Sequence, residues 1–179
     1  MANFADFLPI LLRFEGGFVN DPDDPGGATN KGITLKTFQA LGPALGLQDT
    51  SLEALRRISD DDAARLYKRH YWDALEADGI ELQPLANLLV DFYVNAGGNA
   101  VRELQRQLNA TSQRQPALRE DGVFGPDTAQ ALRQADPLTT YRGLRQRRLG
   151  YYERLANANP KLQKFLQGWR NRVAAFPVL

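Results

Sequence analysis

Pro84-Leu85-Ala86-Asn87-Leu88-Leu89-Val90-Asp91-Phe92-Tyr93-Val94-Asn95 is apolar almost all the way round a helical wheel, and Gly97-Gly98 stops it. A helix with so little polar face belongs inside a protein, so this stretch predicts a buried central helix. Working outward, apolar residues recur mostly at helical spacing, and no convincing run shows the period of two that a strand needs. Upstream, Phe4, Phe7, Leu8, Leu11 and Leu12 mark a first helix capped by Asn3 or Asp6. Pro9 suits the first turn of a helix capped by Asp6 and would kink one that starts at Asn3. Thr34 can cap a short helix carrying Leu35, Phe38 and Leu41. Ser59-Asp60-Asp61-Asp62 reads as a capping box ahead of Ala63, Leu66, Tyr67 and His70. Downstream, Val101, Leu104 and Leu108 mark one more helix, and three others are expected near 127–135, 137–156 and 161–174. Residues 18–33 are rich in Asn, Asp, Pro and Gly, which predicts a loop or small hairpin. The expected fold class is all-α.

Composition narrows the chemistry. The 179 residues include no cysteine and a single histidine, His70. That excludes a disulfide scaffold, thiolate zinc sites and cysteine nucleophiles, and leaves His70 without partners for a metal site or a Ser-His-Asp triad. Neither a metal nor an organic cofactor is expected, and carboxylates are left to do the work. Mean hydropathy is −0.43, and no apolar run approaches the ~18 residues of a membrane span. The start, Met1-Ala2-Asn3-Phe4-Ala5-Asp6, lacks a basic n-region and Arg13 interrupts the apolar run behind it, so synthesis in a host or bacterial cytoplasm without a signal peptide is expected. The net charge of +1 conceals a division: residues 1–95 carry −7 and residues 96–179 carry +8. The basic half either meets an anionic partner or presents solvated arginine-rich helix faces. Arg142, Arg145, Arg147 and Arg148 fall on one expected helix but cannot share a single face. Composition and charge both change at Gly97-Gly98, which marks the expected boundary between segments 1–96 and 97–179, packed as one compact unit.

One loop has the character of a site. Glu15 is expected at the C-terminal end of the first helix, where the macrodipole disfavours a negative charge, and Phe14 and Phe18 flank it. Both features raise a carboxyl pKa, as a general acid near neutral pH requires. An exposed last-turn glutamate before a glycine cap is the plain alternative. A glycosidase usually sets a second carboxylate or a held water opposite the acid. Asp21, Asp23 and Asp24 are available, although each is equally a turn former beside proline. Thr29 and Thr34 can hold a water. A calcium loop is disfavoured, because the alternating ligands and terminal glutamate are missing.

Glu15-Gly16-Gly17, with Asn20-Asp21-Pro22-x-Asp24-x-Gly26-Gly27-x-Thr29 and Gly32-Ile33-Thr34, resembles the signature of glycoside hydrolase family 108, lysozyme-like N-acetylmuramidases of phage endolysins and secretion-associated enzymes. Tyr71-Trp72-Asp73 and Val94-Asn95-Ala96-Gly97 are similar to later landmarks of that family. Leu104-Gln105-x-x-Leu108, Asp121-Gly122-x-x-Gly125-Pro126-x-Thr128, Tyr151-Tyr152, Gly168-Trp169 and Arg172-Val173 resemble its accompanying peptidoglycan-binding segment. The resemblance implies a lysozyme-like helical fold, with residues 1–96 as the catalytic region and 97–179 as the wall-binding segment. It also implies hydrolysis of the β-1,4 bond between N-acetylmuramic acid and N-acetylglucosamine. Glu15 then maps to the catalytic acid, with Asp24 and Thr29 as its counterparts across the loop. Tyr93 and Asn95 become substrate-binding candidates at the end of the buried helix, with a helix-end cap as the alternative for Asn95. Trp72 becomes a candidate for stacking on a sugar, or a core residue beside Tyr71.

The implied partner is bacterial peptidoglycan, reached in the periplasm by a monomer, with the basic half able to touch anionic membrane or lipopolysaccharide. Nucleic acid is not an expected partner, given the acidic first half and the lack of a recognition motif. Lytic transglycosylase chemistry and a non-catalytic wall-binding module are the rival readings.

Overall fold

Helices supply nearly all the regular structure in the computed structural model, which describes residues 1–14, 17–20, 28–113 and 115–179. The described chain forms two packed units, one of Phe4–Ala74 and a larger one that joins Met1–Asn3 to Leu75–Leu179.

In the smaller unit α1 (Phe4–Phe14) begins straight after Asn3, so Pro9 lies in its interior. An interior proline ordinarily costs about 3 kcal/mol. Phe7 and Leu11, one turn apart, are fully buried, and at roughly 1.5–3 kcal/mol each they offset that cost. Three short helices follow: α2 (Leu35–Leu41), α3 (Leu52–Arg56) and α4 (Asp60–Tyr67). Thr34 caps α2, its hydroxyl accepting from the Thr37 N–H at 3.1 Å. Ser59 caps α4, accepting from the Asp62 N–H at 3.0 Å and donating its own hydroxyl to the Asp62 carboxylate at 2.8 Å. The carboxylate therefore closes the box on the serine hydroxyl rather than on the backbone. Past α4 the chain widens into one π turn, Lys68–Trp72, in which the Asp73 N–H reaches back to the Lys68 carbonyl. The wide turn carries Trp72 into the core.

The loop region after α1 does contain a hairpin. β1 (Thr29–Asn30) pairs antiparallel with β2 (Ile33–Thr34) in the register Thr29↔Thr34 and Asn30↔Ile33. Val19 adds a further bridge to Thr29, with both N–H···O bonds at 2.8 Å. The two-residue turn has Lys31 at φ 48° and Gly32 at φ 73°, the paired left-handed conformation whose twist suits a tight hairpin. A lysine is a poor resident of that region, and three contacts hold the turn. Buried Asn30 donates from Nδ2 to the Leu55 and Arg56 carbonyls, both at 2.9 Å. The Tyr67 hydroxyl donates to the Lys31 carbonyl at 2.8 Å, and the Lys31 ammonium pairs with Asp60.

The larger unit is built on α5 (Gln83–Ala96), the buried helix expected from its all-round apolar surface; Leu85, Ala86, Leu88, Leu89, Val90 and Phe92 are all buried. α6 (Gly98–Thr111), α7 (Pro126–Gln134), α8 (Pro137–Ala158) and α9 (Gln163–Ala174) complete it. The polar residue inside α5 is the informative one. Asp91 and Arg148 both have 0% of their surface exposed, and they pair at 2.6 Å. Arg172 of α9 reaches the same carboxylate at 2.8 Å. The Arg148 guanidinium also lies over the rings of Phe92, Tyr152 and Phe176, at 5.1, 5.6 and 5.5 Å. Its buried Nη1 has no hydrogen-bond partner, and the aromatic faces offer the cation a compensating attraction. Arg148 is thus a core residue, where the sequence reading expected arginines that meet an anionic partner or solvent.

Removing one partner of a buried pair leaves the other charged and unsolvated. Asp91→Ala is therefore expected to lower unfolding free energy by about 3–5 kcal/mol, read from urea denaturation. Adding Arg148→Met should recover part of the loss, because Arg172 can still reach water. In the smaller unit, Asn30→Ala strands two carbonyls of α3 and should cost about 2–3 kcal/mol in the same assay.

Candidate active site

The two carboxylates singled out in the sequence, Glu15 and Asp24, lie outside the described residues, as do Asp21 and Asp23. What the structure gives is the frame that carries them. α1 runs to Phe14, the residue immediately before Glu15. On the other side the chain returns through buried Ala28, whose carbonyl accepts from the Leu35 N–H at 2.8 Å. The Val19–Thr29 bridge joins the short stretch 17–20 to β1. Phe18, half-buried beside that bridge, has its ring covered by the Arg56 guanidinium at 4.6 Å. The described residues that flank the candidate acids in sequence are thus a helix and a clamped hairpin, elements of the kind that support a positioned side chain.

Thr29 is the first residue of β1 and is half-buried. Its backbone is committed to Val19 and to β2. Trp72 belongs to the same unit but is wholly buried. Its indole stacks on Phe7 with centroids 5.6 Å apart and meets Phe4 edge-on at 5.6 Å. No ring face is left for a sugar, so Trp72 is a packing residue. Tyr71 and Trp72 fall at a helical spacing that looks the same for a core and for a binding face, which is why the sequence left both readings open.

Tyr93 and Asn95 sit in the last turn of α5, in the larger unit, Tyr93 half-buried and Asn95 exposed. Asn95 does not cap the helix with its side chain. Its Oδ1 accepts from the Tyr152 hydroxyl at 3.3 Å, and that oxygen accepts in turn from Arg148 Nε and Nη2, both at 3.3 Å. A chain of polar contacts therefore runs from the buried Asp91 carboxylate through Arg148 and Tyr152 to Asn95. Burial holds the Tyr152 phenol above its ordinary pKa, so it stays protonated and donates at neutral pH. Tyr152 stacks on Trp169 at 5.0 Å. Sequence reading gave Tyr151-Tyr152 as a motif without a role. The signal that pointed to one was an aromatic pair four residues after an arginine within an otherwise polar helix.

The Asp121-Gly122 element is a turn locked to α6. Buried Gln105 donates from Nε2 to Asp121 Oδ1, to the Val123 carbonyl and to the Thr128 hydroxyl, at 3.0, 3.0 and 3.2 Å, and accepts from the Gly122 N–H at 3.0 Å. The Val123 N–H and Gln105 hold the Asp121 carboxyl below the usual carboxylate range. Gly122 has φ 78°, and a Cβ there would meet the Gly98 carbonyl oxygen at 2.6 Å, so the position admits only glycine. Among the described residues, no group of three His, Cys, Asp or Glu side chains could hold a metal ion, and no helix is long and apolar enough to cross a membrane.

Comparison with known proteins finds matches over two consecutive segments of the chain. Residues 8–97 match the model of the family described as Glycosyl hydrolase 108, and residues 99–174 match a domain described as Predicted Peptidoglycan domain. Among solved structures, the chain is similar to that of Brucella abortus SagA, with 29% identity and a TM-score of 0.73 over 97% of this chain and 90% of that one. The curated proteins contain no match to it. The first of those family models covers half of the sequence, from α1 to the end of α5, and its helical, lysozyme-like fold is the one found here; the chain belongs to glycosyl hydrolase family 108 and is a glycoside hydrolase that acts on peptidoglycan.

Proposed function

We propose that the protein is a muramidase of endolysin type, hydrolysing the β-1,4 bond between N-acetylmuramic acid and N-acetylglucosamine with Glu15 as general acid. The observation that supports this reading most is the match over residues 8–97, which includes the Glu15-Gly16-Gly17 motif directly after α1. A carboxyl at a helix C-terminus is favoured in its neutral form, and a neutral carboxyl has a proton to give. In the proposed reaction Glu15 passes that proton to the glycosidic oxygen as the bond to the anomeric carbon breaks. Asp24 stabilises the oxocarbenium-like carbon or takes a proton from the attacking water, which Thr29 helps to hold. Water adds at the anomeric carbon and leaves a reducing muramic acid end. Asn95 is assigned to the substrate, its Nδ2 free to donate to an acetamido carbonyl while its Oδ1 is occupied by Tyr152; Tyr93, in the same last turn of α5, is the second substrate-binding candidate. The periplasmic wall is the proposed place of action, for a monomer.

Purified peptidoglycan digested by the wild type and by Glu15→Gln, with products read by mass spectrometry, tests the proposal. Reducible muramic acid ends are expected from the wild type, with a loss of at least about 100-fold in the variant, as for removal of a general acid. Anhydro ends from the wild type would move the enzyme to the lytic transglycosylases. Equal activity in both proteins would remove Glu15 from the chemistry.

A further inference from the structure

The larger unit contains a polar cavity, remote in sequence from the Glu15 loop, on the face shared by α6 and α8. It has a volume of about 340 Å³ and is lined by Asn99, Arg102, Arg106, Tyr151 and Arg154 around Glu103. Glu103 is only 3% exposed, yet it is met by Arg154 at 2.6 Å, Arg106 at 2.9 Å and Arg147 at 3.8 Å. Arg106 also pairs with Glu120 at 3.0 Å. Arg102 stands apart from these pairs. Its three hydrogen bonds go to neutral oxygens, the Glu120 and Asp121 carbonyls and Asn99 Oδ1, at 3.0, 3.2 and 2.7 Å. Four guanidiniums thus surround two carboxylates, and the surplus is two positive charges held in fixed orientation. An arginine fixed by neutral acceptors keeps its charge available, and its planar fork suits a carboxylate. Arg154, with 61% of its side chain exposed, leaves most of its donors toward solvent.

We infer that this cavity is a subsite for the free carboxylates of the peptide stems of peptidoglycan, separate from the site that cleaves the glycan. The inference rests on the wall-acting reading for the identity of the polymer and on the Arg102–Arg106–Arg154 cluster for the site itself. Glu103 acts as the buried post that spaces Arg106 and Arg154, while Arg102 and Arg154 supply the charge seen by the ligand. Tyr151, hydrogen-bonded from Asn99 at 3.3 Å, forms an apolar wall beside them. A stem carboxylate seated here would tether the enzyme to an immobile polymer while its sugar-cleaving loop works along the glycan.

Equilibrium binding of the full-length protein to soluble muropeptides tests this. Three ligands are compared: a disaccharide with its intact stem, the same with its stem carboxylates amidated, and the disaccharide alone. Wild type should bind the first about fivefold or more tightly than the other two, with an affinity that falls as salt is raised. Arg154→Gln should erase that preference and Arg154→Lys should restore part of it, with the helical far-UV circular dichroism spectrum kept in both, so that lost binding is not lost folding. Equal binding of carboxylate and amidated stems by wild type overturns the subsite, as does a preference that survives Arg154→Gln. Vesicles of anionic phospholipid form a further arm. Arg154-dependent binding to them without stem preference would reassign the cluster to phosphate at a membrane and overturn the stem proposal. A protein that leaves peptidoglycan uncleaved but keeps the Arg154-dependent preference loses the hydrolase reading and keeps the subsite.

Discussion

The buried carboxylate of Asp91 is the contact on which the larger unit depends. It sits on a helix that is otherwise apolar, and two arginines from α8 and α9 close on it from positions 57 and 81 residues away. Desolvating three charged groups is expensive, and their attraction repays it only where the geometry is good. Here both carboxylate oxygens are used, and aromatic faces take up the rest of Arg148. Such a triad contributes less to net stability than to choice of arrangement: an α8 displaced by one turn would leave Asp91 buried without its partner. The α5 helix closes the segment matched to the hydrolase family, while Arg148 and Arg172 belong to the segment matched to the peptidoglycan domain. The family boundary at residues 97–99 therefore passes through a shared core rather than between separable modules.

The same network extends outward to the surface. Tyr152 receives two bonds from Arg148 and gives one to Asn95, so an exposed amide at the end of α5 is oriented by a charge in the core. In the smaller unit the hairpin has a comparable arrangement. Asn30, Tyr67 and Asp60 fix the turn at Lys31, which fixes Thr29, which pairs with Val19. In both places a polar side chain on a helix or turn is held by a partner on another element, a form of support that local propensity does not encode.

That distinction explains what could be read from the sequence. The caps at Thr34 and Ser59, the all-round apolar face of residues 84–95 and the helices over 126–134, 137–158 and 163–174 are local signals, and they were legible. The family was legible through the Glu15-Gly16-Gly17 motif and its neighbours rather than through geometry, and the choice among Asp21, Asp23 and Asp24 had no physical discriminator. The partners of Asp91, the acceptors of Asn30 and the burial of Trp72 were not legible, because each depends on contacts between elements far apart in the chain. Arg148 misled for the same reason: among four arginines within seven positions, nothing local marks the one whose counter-charge lies inside.

The first three residues add a topological consequence. The Ala2 N–H donates to the Ile80 carbonyl, the Asn3 N–H to Gln83 Oε1, and Gln83 Nε2 back to the Asn3 carbonyl. Residues 4–74 are thereby an insertion within the larger unit, leaving it at Asn3 and rejoining it at Leu75. A segment whose two ends are clasped has lost the loop-closure part of its unfolded entropy before any of its own contacts form. The smaller unit, with its short helices and strained turn, thus receives stability from a clasp outside its own core, and during synthesis it gains that benefit only after residue 83 has been added to the chain.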